Sequence, residues 1–327
     1  MTAGPLVLGL DVGGSTTRVL VADLAGRILG TARGSGGNPV SNGEPAALRA
    51  IAGTLREALA GVDPAGVAAG VLGLAGGLSG SPALSGLWPA AGLPVEPRLT
   101  GDVELAYAAG TSEPDGTALI SGTGAVAAEI RGYAAVRTAD GHGWLLGDRG
   151  SGYWLGRAAV RTALAAVDRD AVPASGLVAE VIDALLPDRP AAAPGALRLR
   201  AAVIGAVHAG PPVRLARLAP LVLAAARAGD QDAVRLVEQA ADRLLETLAA
   251  VREPGSVRPV VLAGGVLDPA SPLAAAVRRR IADRWPDAAP VHAGNAAGAA
   301  AWLAARTIAP PATDLTDLHR RLVTGPA

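Results

Sequence analysis

The stretch LGLDVGGSTTRVLVADLAGRILG, residues 8–30, decides the fold. Two apolar runs flank a Gly-Gly-Ser-Thr-Thr turn, and a third begins after Leu24-Ala25-Gly26. Glycine supplies the positive φ that tight hairpins demand, so residues 5–10, 17–24 and 26–33 are expected to pair as three antiparallel strands. Asp11 stands directly before the first turn. Glycines beside a carboxylate suggest a backbone that a ligand must approach closely.

Beyond residue 33 the period changes. Leu48, Ile51, Leu55 and Leu59 recur at spacings of three and four, which predicts a helix over 44–61. GVAAGVLGLAG (66–76) reads as a buried strand, followed by a helix around 80–90 and a strand near 95–100. TGDVELAYAAG (100–110) then sets Asp102 at a strand-to-helix junction, and this βββαβαβα order ends near Pro114. A second beginning follows, because GTALISGTGAVAAEIRG (116–132) reads as two strands around a glycine turn. Residues 151–251 are expected to be mostly helical. Strand 258–263, the turn Gly264-Gly265, helix 272–285, strand 290–293 and helix 295–306 complete the pattern. The loop at 186–195 and the segment 308–314 read as surface connectors. DLTDLHRRLV (314–323) reads as an amphipathic helix returning to cap the first domain.

At 327 residues the chain exceeds the size of a single hydrophobic core, so two domains are expected. It is 50% hydrophobic and 18% charged with a formal net charge of zero, which leaves no electrostatic footprint for nucleic acid or an acidic membrane. It contains no cysteine, which excludes disulfides, thiolate metal sites and iron–sulfur clusters. It contains no lysine, which excludes the G-x-x-x-x-G-K-[ST] phosphate loop and a lysine Schiff base. No basic-then-apolar leader opens the sequence, and prolines at 82, 89 and 94 break the uncharged stretch 64–95. No membrane span and a cytoplasmic location are expected.

Four glycine-rich turns fall at strand ends: DVGGSTT (11–17), SGTGAV (121–126), GDRGSG (147–152) and LAGGVL (262–267). The first joins glycines to Ser15, Thr16 and Thr17, the second to Ser121 and Thr123. Backbone N–H groups and hydroxyls together can hold a phosphate without a cationic side chain. A nucleotide whose charge is offset by Mg²⁺ fits a lysine-free site of this kind. Asp11 could position hydrated Mg²⁺, since magnesium keeps several waters and needs few protein ligands. Asp102 could accept the proton of an attacking hydroxyl. Each has a plain structural alternative: a turn residue for Asp11, a helix N-cap for Asp102. The Arg278-Arg279-Arg280 run reads as a solvated helix face, and Asn295 as an N-cap.

The order GLDVGGSTTRVLVADLAGRIL, GGN, GLAGG, GDVELA, LISGTG, GWLLGDRGSGYWLGRAA and VVLAGGVL resembles the N-acetylglucosamine kinase branch of the sugar kinase–actin–chaperone ATPase superfamily, the BadF/BadG/BcrA/BcrD-type ATPases. The resemblance spans nearly the whole chain. It implies an α/β fold of two actin-like (ribonuclease H-like) domains, each a mixed sheet flanked by helices, with a cleft between them. The first domain would cover 1–114, completed by a C-terminal helix at 312–327; the second would cover 115–311 with a helical insertion. The resemblance implies ATP and Mg²⁺ as cofactors and a homodimer. It also implies transfer to the 6-hydroxyl of an amino sugar, N-acetylglucosamine first and glucosamine or another hexose next. It assigns Asp102 as general base, Asp11 with Gly13, Gly14 and Ser15 as the first phosphate loop, and Gly122, Thr123 and Gly124 as the second. Gly264 and Gly265 match the turn under the adenosine. Asn38 and Asp148 match sugar-binding residues, and His142, Gly143 and Trp144 stand where sugar contacts are expected.

Three departures surround the place where a 2-acetamido group would be read. Gly101 precedes Asp102 where the family often has Asn, Arg149 follows Asp148 where Glu is common, and DGHGW (140–144) shifts the usual Trp. Two other classes compete with the kinase. An electron-transferring dehydratase activator needs cysteines for its cluster, and there are none. The other is a sugar-sensing regulator or a catalytically silent sugar- and ATP-binding protein. A regulator is expected to carry a DNA-binding segment, yet the first strand starts by residue 5. A silent binder is expected to have lost Asp11 or Asp102, yet both are present.

Overall fold

The computed structural model describes residues 4–74, 82–188 and 195–325. Residues 75–77 of GLAGG, the start of the helix expected around 80 and most of the 186–195 connector lie outside the described residues. Two compact units emerge. Unit 1 comprises Met1–Asp115, Ile130–Ala134 and Ala293–Ala327, and unit 2 comprises Gly116–Glu129 and Ala135–His292.

In unit 1 the chain runs β1 (Leu6–Val12), β2 (Thr16–Asp23), β3 (Ile28–Ser35), α1 (Pro39–Asn42), α2 (Glu44–Ala58), β4 (Val67–Leu74), α3 (Pro82–Ser85), α4 (Leu87–Ala90), β5 (Arg98–Thr100) and α5 (Asp102–Ala108). The sheet order is β3-β2-β1-β4-β5. The hairpins pair antiparallel, and β4 and β5 join parallel to β1. One face is covered by α2 through Ile51, Leu55 and Ala58. The helix expected around 80–90 is represented by the two short turns α3 and α4.

Unit 2 holds β6 (Gly116–Ser121), β7 (Ala125–Arg131), β8 (Ala134–Asp140), α6 (Gly143–Leu146), α7 (Gly152–Asp168), α8 (Leu177–Leu185), α9 (Ala196–His208), α10 (Ala219–Arg227), α11 (Gln231–Val251), β9 (Val260–Ala263), α12 (Pro272–Arg284) and β10 (Pro290–His292). Its sheet order is β10-β9-β6-β7-β8. The turn residues Ile130–Ala134 of the β7–β8 hairpin belong to unit 1. β8 was not foreseen, because AAVRTAD alternates without a continuous apolar face and most of it is exposed.

Two further helices, α13 (Ala296–Ile308) and α14 (Leu315–Thr324), belong to unit 1. Here the expected boundary needs correction, since a second domain ending at 311 would include α13. Instead Ala297, Ala299, Ala300 and Ala301 bury against Val7, Leu20 and Val71 of the unit 1 sheet. The approach is so close that a Cβ on Gly9 would stand 2.0 Å from the Ala297 carbonyl oxygen. Asn295 caps α13, its Oδ1 accepting from Gly298 N at 3.1 Å. α14 then packs on α13, with the His319 and Trp302 rings 4.8 Å apart. His319 Nε2 also lies 2.7 Å from the Ala108 carbonyl oxygen.

Candidate functional site

Strand register assembles the unit 1 residues. Arg18 pairs with Asp11 across β1–β2, Asp11 with Gly73 across β1–β4, and Gly73 with Thr100 across β4–β5. Three parallel strands, β1, β4 and β5, therefore end in one row where the antiparallel β2 begins, and Asp102 follows Thr100 by two residues. At roughly 4.8 Å per strand, Asp11 and Thr100 are about 10 Å apart. Asp11 and Asp102 thus stand at the same carboxyl-end edge of the sheet, where ligands of open α/β sheets bind.

Asp102 is the first residue of α5, and the N-cap is Gly101 with no side-chain cap hydrogen bond. Asp102 is thus one place beyond the N-cap and is an exposed residue, while its carboxylate still meets the N–H groups of Asp102 and Val103 at the start of the helix. Protein around the carboxyl raises its pKa above the usual carboxylate value; the N–H groups of Val103 and Asp102 oppose that rise, and the Glu104 charge adds to it. At the Gly101 departure the neighbouring space is taken by the flexible end of Glu104. A Cβ there would stand 2.2 Å from Glu104 Oε2, so a side chain at 101 would require the Glu104 carboxylate to move aside.

Asp11 also has a raised pKa, through burial first. Arg18 opposes the rise by charge and hydrogen bond, and the negative charge of Asp102 adds to it. Arg18 Nη1 donates to Asp11 Oδ2 at 3.0 Å. Sequence reasoning missed Arg18; its antiparallel partnering with Asp11 around the turn was the available signal.

The first turn is closed by Gly13 N donating to Thr16 O at 2.9 Å, and Gly14 and Ser15 are exposed at its tip. Thr17 departs from expectation. It is fully buried and its Oγ1 has no hydrogen-bond partner, so this hydroxyl packs inside unit 1 and cannot face a phosphate. The cause is strand alternation: Thr17 and Val19 point into the core, Thr16 and Arg18 out. Asn38 lies beneath the turn, its N–H donating to Gly13 O at 3.2 Å, and it is buried.

In unit 2 three of the four glycine-rich turns converge. Gly122 N donates to Gly124 O at 2.9 Å, closing the turn between β6 and β7. The start of α7 holds this turn from below: Gly152 N donates to Gly122 O at 2.8 Å and Tyr153 N to Thr123 O at 3.1 Å. Ser121 Oγ donates to Gly150 O at 3.2 Å, so that hydroxyl is structural. Gly264, at φ +93°, presses against Ser121, whose carbonyl oxygen would be 2.3 Å from an added Cβ. By contrast, a Cβ on Gly122 or Gly265 would meet no protein atom within 4 Å. Gly122 spends its N–H and its carbonyl within the protein, so what these two glycines offer is open space for the close approach of a phosphate or a nucleoside, which fits ATP.

Asp148 supports the same turn. It is buried, in the left-handed region at φ +58°, and its Oδ1 accepts from Ala125 N at 3.0 Å. Asp140, also missed by the sequence, fixes Asp148 in turn by accepting from Asp148 N at 2.7 Å and Arg149 N at 2.8 Å. Burial raises the Asp148 pKa, the Ala125 N–H opposes it and the Asp140 charge adds to it. Arg149 points instead to Glu246 of α11, at 2.5 Å. His142 is the N-cap residue of α6 with no side-chain cap bond, and Gly143 begins that helix. Trp144 is 38% exposed and packs edge-on to Tyr153 at 5.9 Å, which ties this exposed segment to the first turn of α7.

Among the described residues no group of three or more His, Asp or Glu side chains could enclose a metal. A site resting on Asp11 and on ligand phosphates fits magnesium, which keeps several waters. No helix among the described residues is long and apolar enough to cross a membrane.

A model of the BadF/BadG/BcrA/BcrD ATPase family matches residues 8–302. The chain belongs to the BadF/BadG/BcrA/BcrD ATPase family. Among solved structures this family member is similar to a candidate N-acetylglucosamine kinase from Chromobacterium violaceum: 26% identity, TM-score 0.70, over 92% of this chain and 99% of that one. A second candidate N-acetylglucosamine kinase, from Porphyromonas gingivalis, is 22% identical with TM-score 0.57, over 85% of this chain and 89% of that one. A ROK family glucokinase from Streptomyces griseus, solved with glucose and AMPPNP, is 20% identical with TM-score 0.55, over 92% and 99%. No curated protein sequence matches the chain. The fold of this BadF/BadG/BcrA/BcrD ATPase is thus the actin-like one, two mixed five-stranded sheets flanked by helices.

Proposed function

We propose that the chain is an ATP-dependent kinase that phosphorylates the 6-hydroxyl of an amino sugar, N-acetylglucosamine before glucosamine or another hexose. The observation that carries this is Asp102: the carboxylate of an exposed residue at the first position of α5, on the sheet edge that also bears Asp11 and the first glycine turn. The similarity to the Chromobacterium candidate kinase over nearly both lengths supports the same substrate class.

In this proposal unit 1 supplies the acceptor chemistry. Asp102 takes the proton of the sugar hydroxyl, and Asn38 orients the sugar by hydrogen bonding. Asp11 holds the magnesium, which when bound offsets phosphate charge. In unit 1 the proposal assigns phosphate oxygens to the N–H groups of Gly14 and Ser15, with Gly13 shaping the turn through its own bond to Thr16 O. In unit 2 it assigns nucleotide contacts to the Thr123–Gly124 and Gly264–Gly265 backbone, with Gly122 shaping that turn. Asp148 has two duties, holding the 122–124 turn and contacting sugar hydroxyls, with His142, Gly143 and Trp144 beside it. A homodimer in the cytoplasm remains part of the same proposal.

A coupled ADP-release screen over N-acetylglucosamine, glucosamine, N-acetylmannosamine and glucose tests it. N-acetylglucosamine should raise ADP formation furthest above the sugar-free rate. If no sugar raises it, the chain is not a sugar kinase.

A further inference from the structure

Helices α7 and α11 of unit 2 enclose an open groove of about 430 Å³ that the phosphotransfer site does not use. Trp154, Arg157, Arg161 and Arg169 line one wall, and Arg235 and Gln239 the other. One acid, Asp232, reaches the groove, and it is paired to Arg235. Arg157, Arg161 and Arg169 have no acidic partner among the described residues.

This charge arrangement is not the rule for the neighbouring helices. On its other side α11 meets α12, where Glu238 and Asp242 satisfy Arg279 and Arg280 at 2.7–2.9 Å. Toward α7 the same helix offers Arg235, Gln239 and a single acid, Asp232, which is already paired to Arg235. Arg157 and Arg161, four residues apart, share one helix face, and like charges at that spacing destabilise a helix. A helix face built this way is stabilised when an anion enters.

We propose that the α7–α11 groove binds a phosphate-bearing small molecule, at a site separate from the glycine turns. Guanidinium forks match phosphate oxygens bidentately, and the volume is that of a small-ligand pocket. Trp154 gives the ligand an apolar wall. The groove is also wired to the nucleotide turn. Trp154 N donates to Ser151 Oγ at 3.2 Å, and its neighbour Tyr153 N donates to Thr123 O at 3.1 Å. An occupant therefore bears on the turn through the first turn of α7. This regulatory half rests on the kinase reading; the binding half does not.

The test titrates the full-length protein separately with inorganic pyrophosphate and with glucosamine 6-phosphate, read by calorimetry and tryptophan fluorescence without ATP. At least one probe should bind, and Arg157→Gln/Arg161→Gln should weaken it by about tenfold or more, the loss of one charge-assisted hydrogen bond. Trp154→Phe should keep the binding heat and lose most of the fluorescence change. Binding by both probes identifies the phosphate group alone as the determinant, and binding by the ester alone identifies a sugar phosphate. The proposal is overturned if neither probe binds, or if the double arginine variant, folded by circular dichroism, binds as the unaltered protein does. Turnover is not measured, so a negative result leaves the kinase reading untouched, and a failed sugar screen leaves this one untouched.

Discussion

Arg18 Nη1 stands 3.0 Å from Asp11 Oδ2, across one register pair of the β1–β2 ladder. In a chain without lysine, this guanidinium is the cation brought to the carboxylate beside the first glycine turn. Both side chains are partly exposed, so the pair adds at most about 1 kcal/mol to stability. Its larger effect is on the protonation of Asp11. Arg18→Gln should therefore leave thermal unfolding nearly unchanged while letting the Asp11 pKa rise further. If Asp11 must be ionised to hold magnesium, the acidic limb of the kcat/KM profile moves to higher pH. A profile that superimposes on that of the unaltered enzyme would remove Arg18 from the site.

Asp102 gives a sharper test. Its carboxyl pKa is raised from 3.8 by surrounding protein. A general base works when deprotonated, so kcat should fall as pH drops, with a midpoint higher than an ordinary aspartate would give. Asp102→Asn should lower kcat roughly 10²-fold or more and flatten that limb, with sugar KM largely kept. Near-normal turnover in this variant would end the general-base role.

The glycines divide into two kinds, and the variants should behave differently. Gly264→Ala forces a left-handed backbone at φ +93° on alanine and drives its Cβ against Ser121 O. A loss of about 1–3 kcal/mol in stability is expected from the strain. Gly122→Ala meets open space in the protein, so unfolding should barely change while the KM for ATP rises. If Gly122→Ala leaves the ATP KM alone, the nucleotide does not lie on that turn.

Local pattern carried most of the fold. The three-stranded opening, α2, the Asp102 junction and the helical middle follow from glycine placement and apolar period, which act within a dozen residues. α13 did not follow. A strand–helix pair at 290–308 reads as a continuation of unit 2, and only packing decides that AAGAAAWLAA inserts against β1 instead. The same distinction governs the site. Asp11, Asp102 and the glycines were legible because turns and junctions leave residue-type signatures. Arg18 became visible through strand register, Asp140 through a non-local backbone contact, and the burial of Thr17 through which side of β2 faces the core.

Asp148 supplies a prediction about stability and pH. Burial raises its folded-state pKa above 3.8, so the fold favours the protonated form. Stability from such a group is fully present below the unfolded-state pKa and lost as pH rises through the folded value. Asp148→Asn keeps an oxygen to accept from Ala125 N but carries no charge. It should match or exceed the unaltered protein in thermal stability near pH 7, and lose this part of the pH slope. Asp148→Ala also removes the acceptor, leaving the Ala125 N–H unpaired at a site where Ala125 is 3% exposed. That should cost about 1–3 kcal/mol at every pH. Thermal unfolding of the three proteins between about pH 4 and 8 separates the two effects. If the Asn variant proves less stable at neutral pH with the slope intact, the carboxylate is favoured as an anion there, and the charge of Asp148 supports the turn it holds.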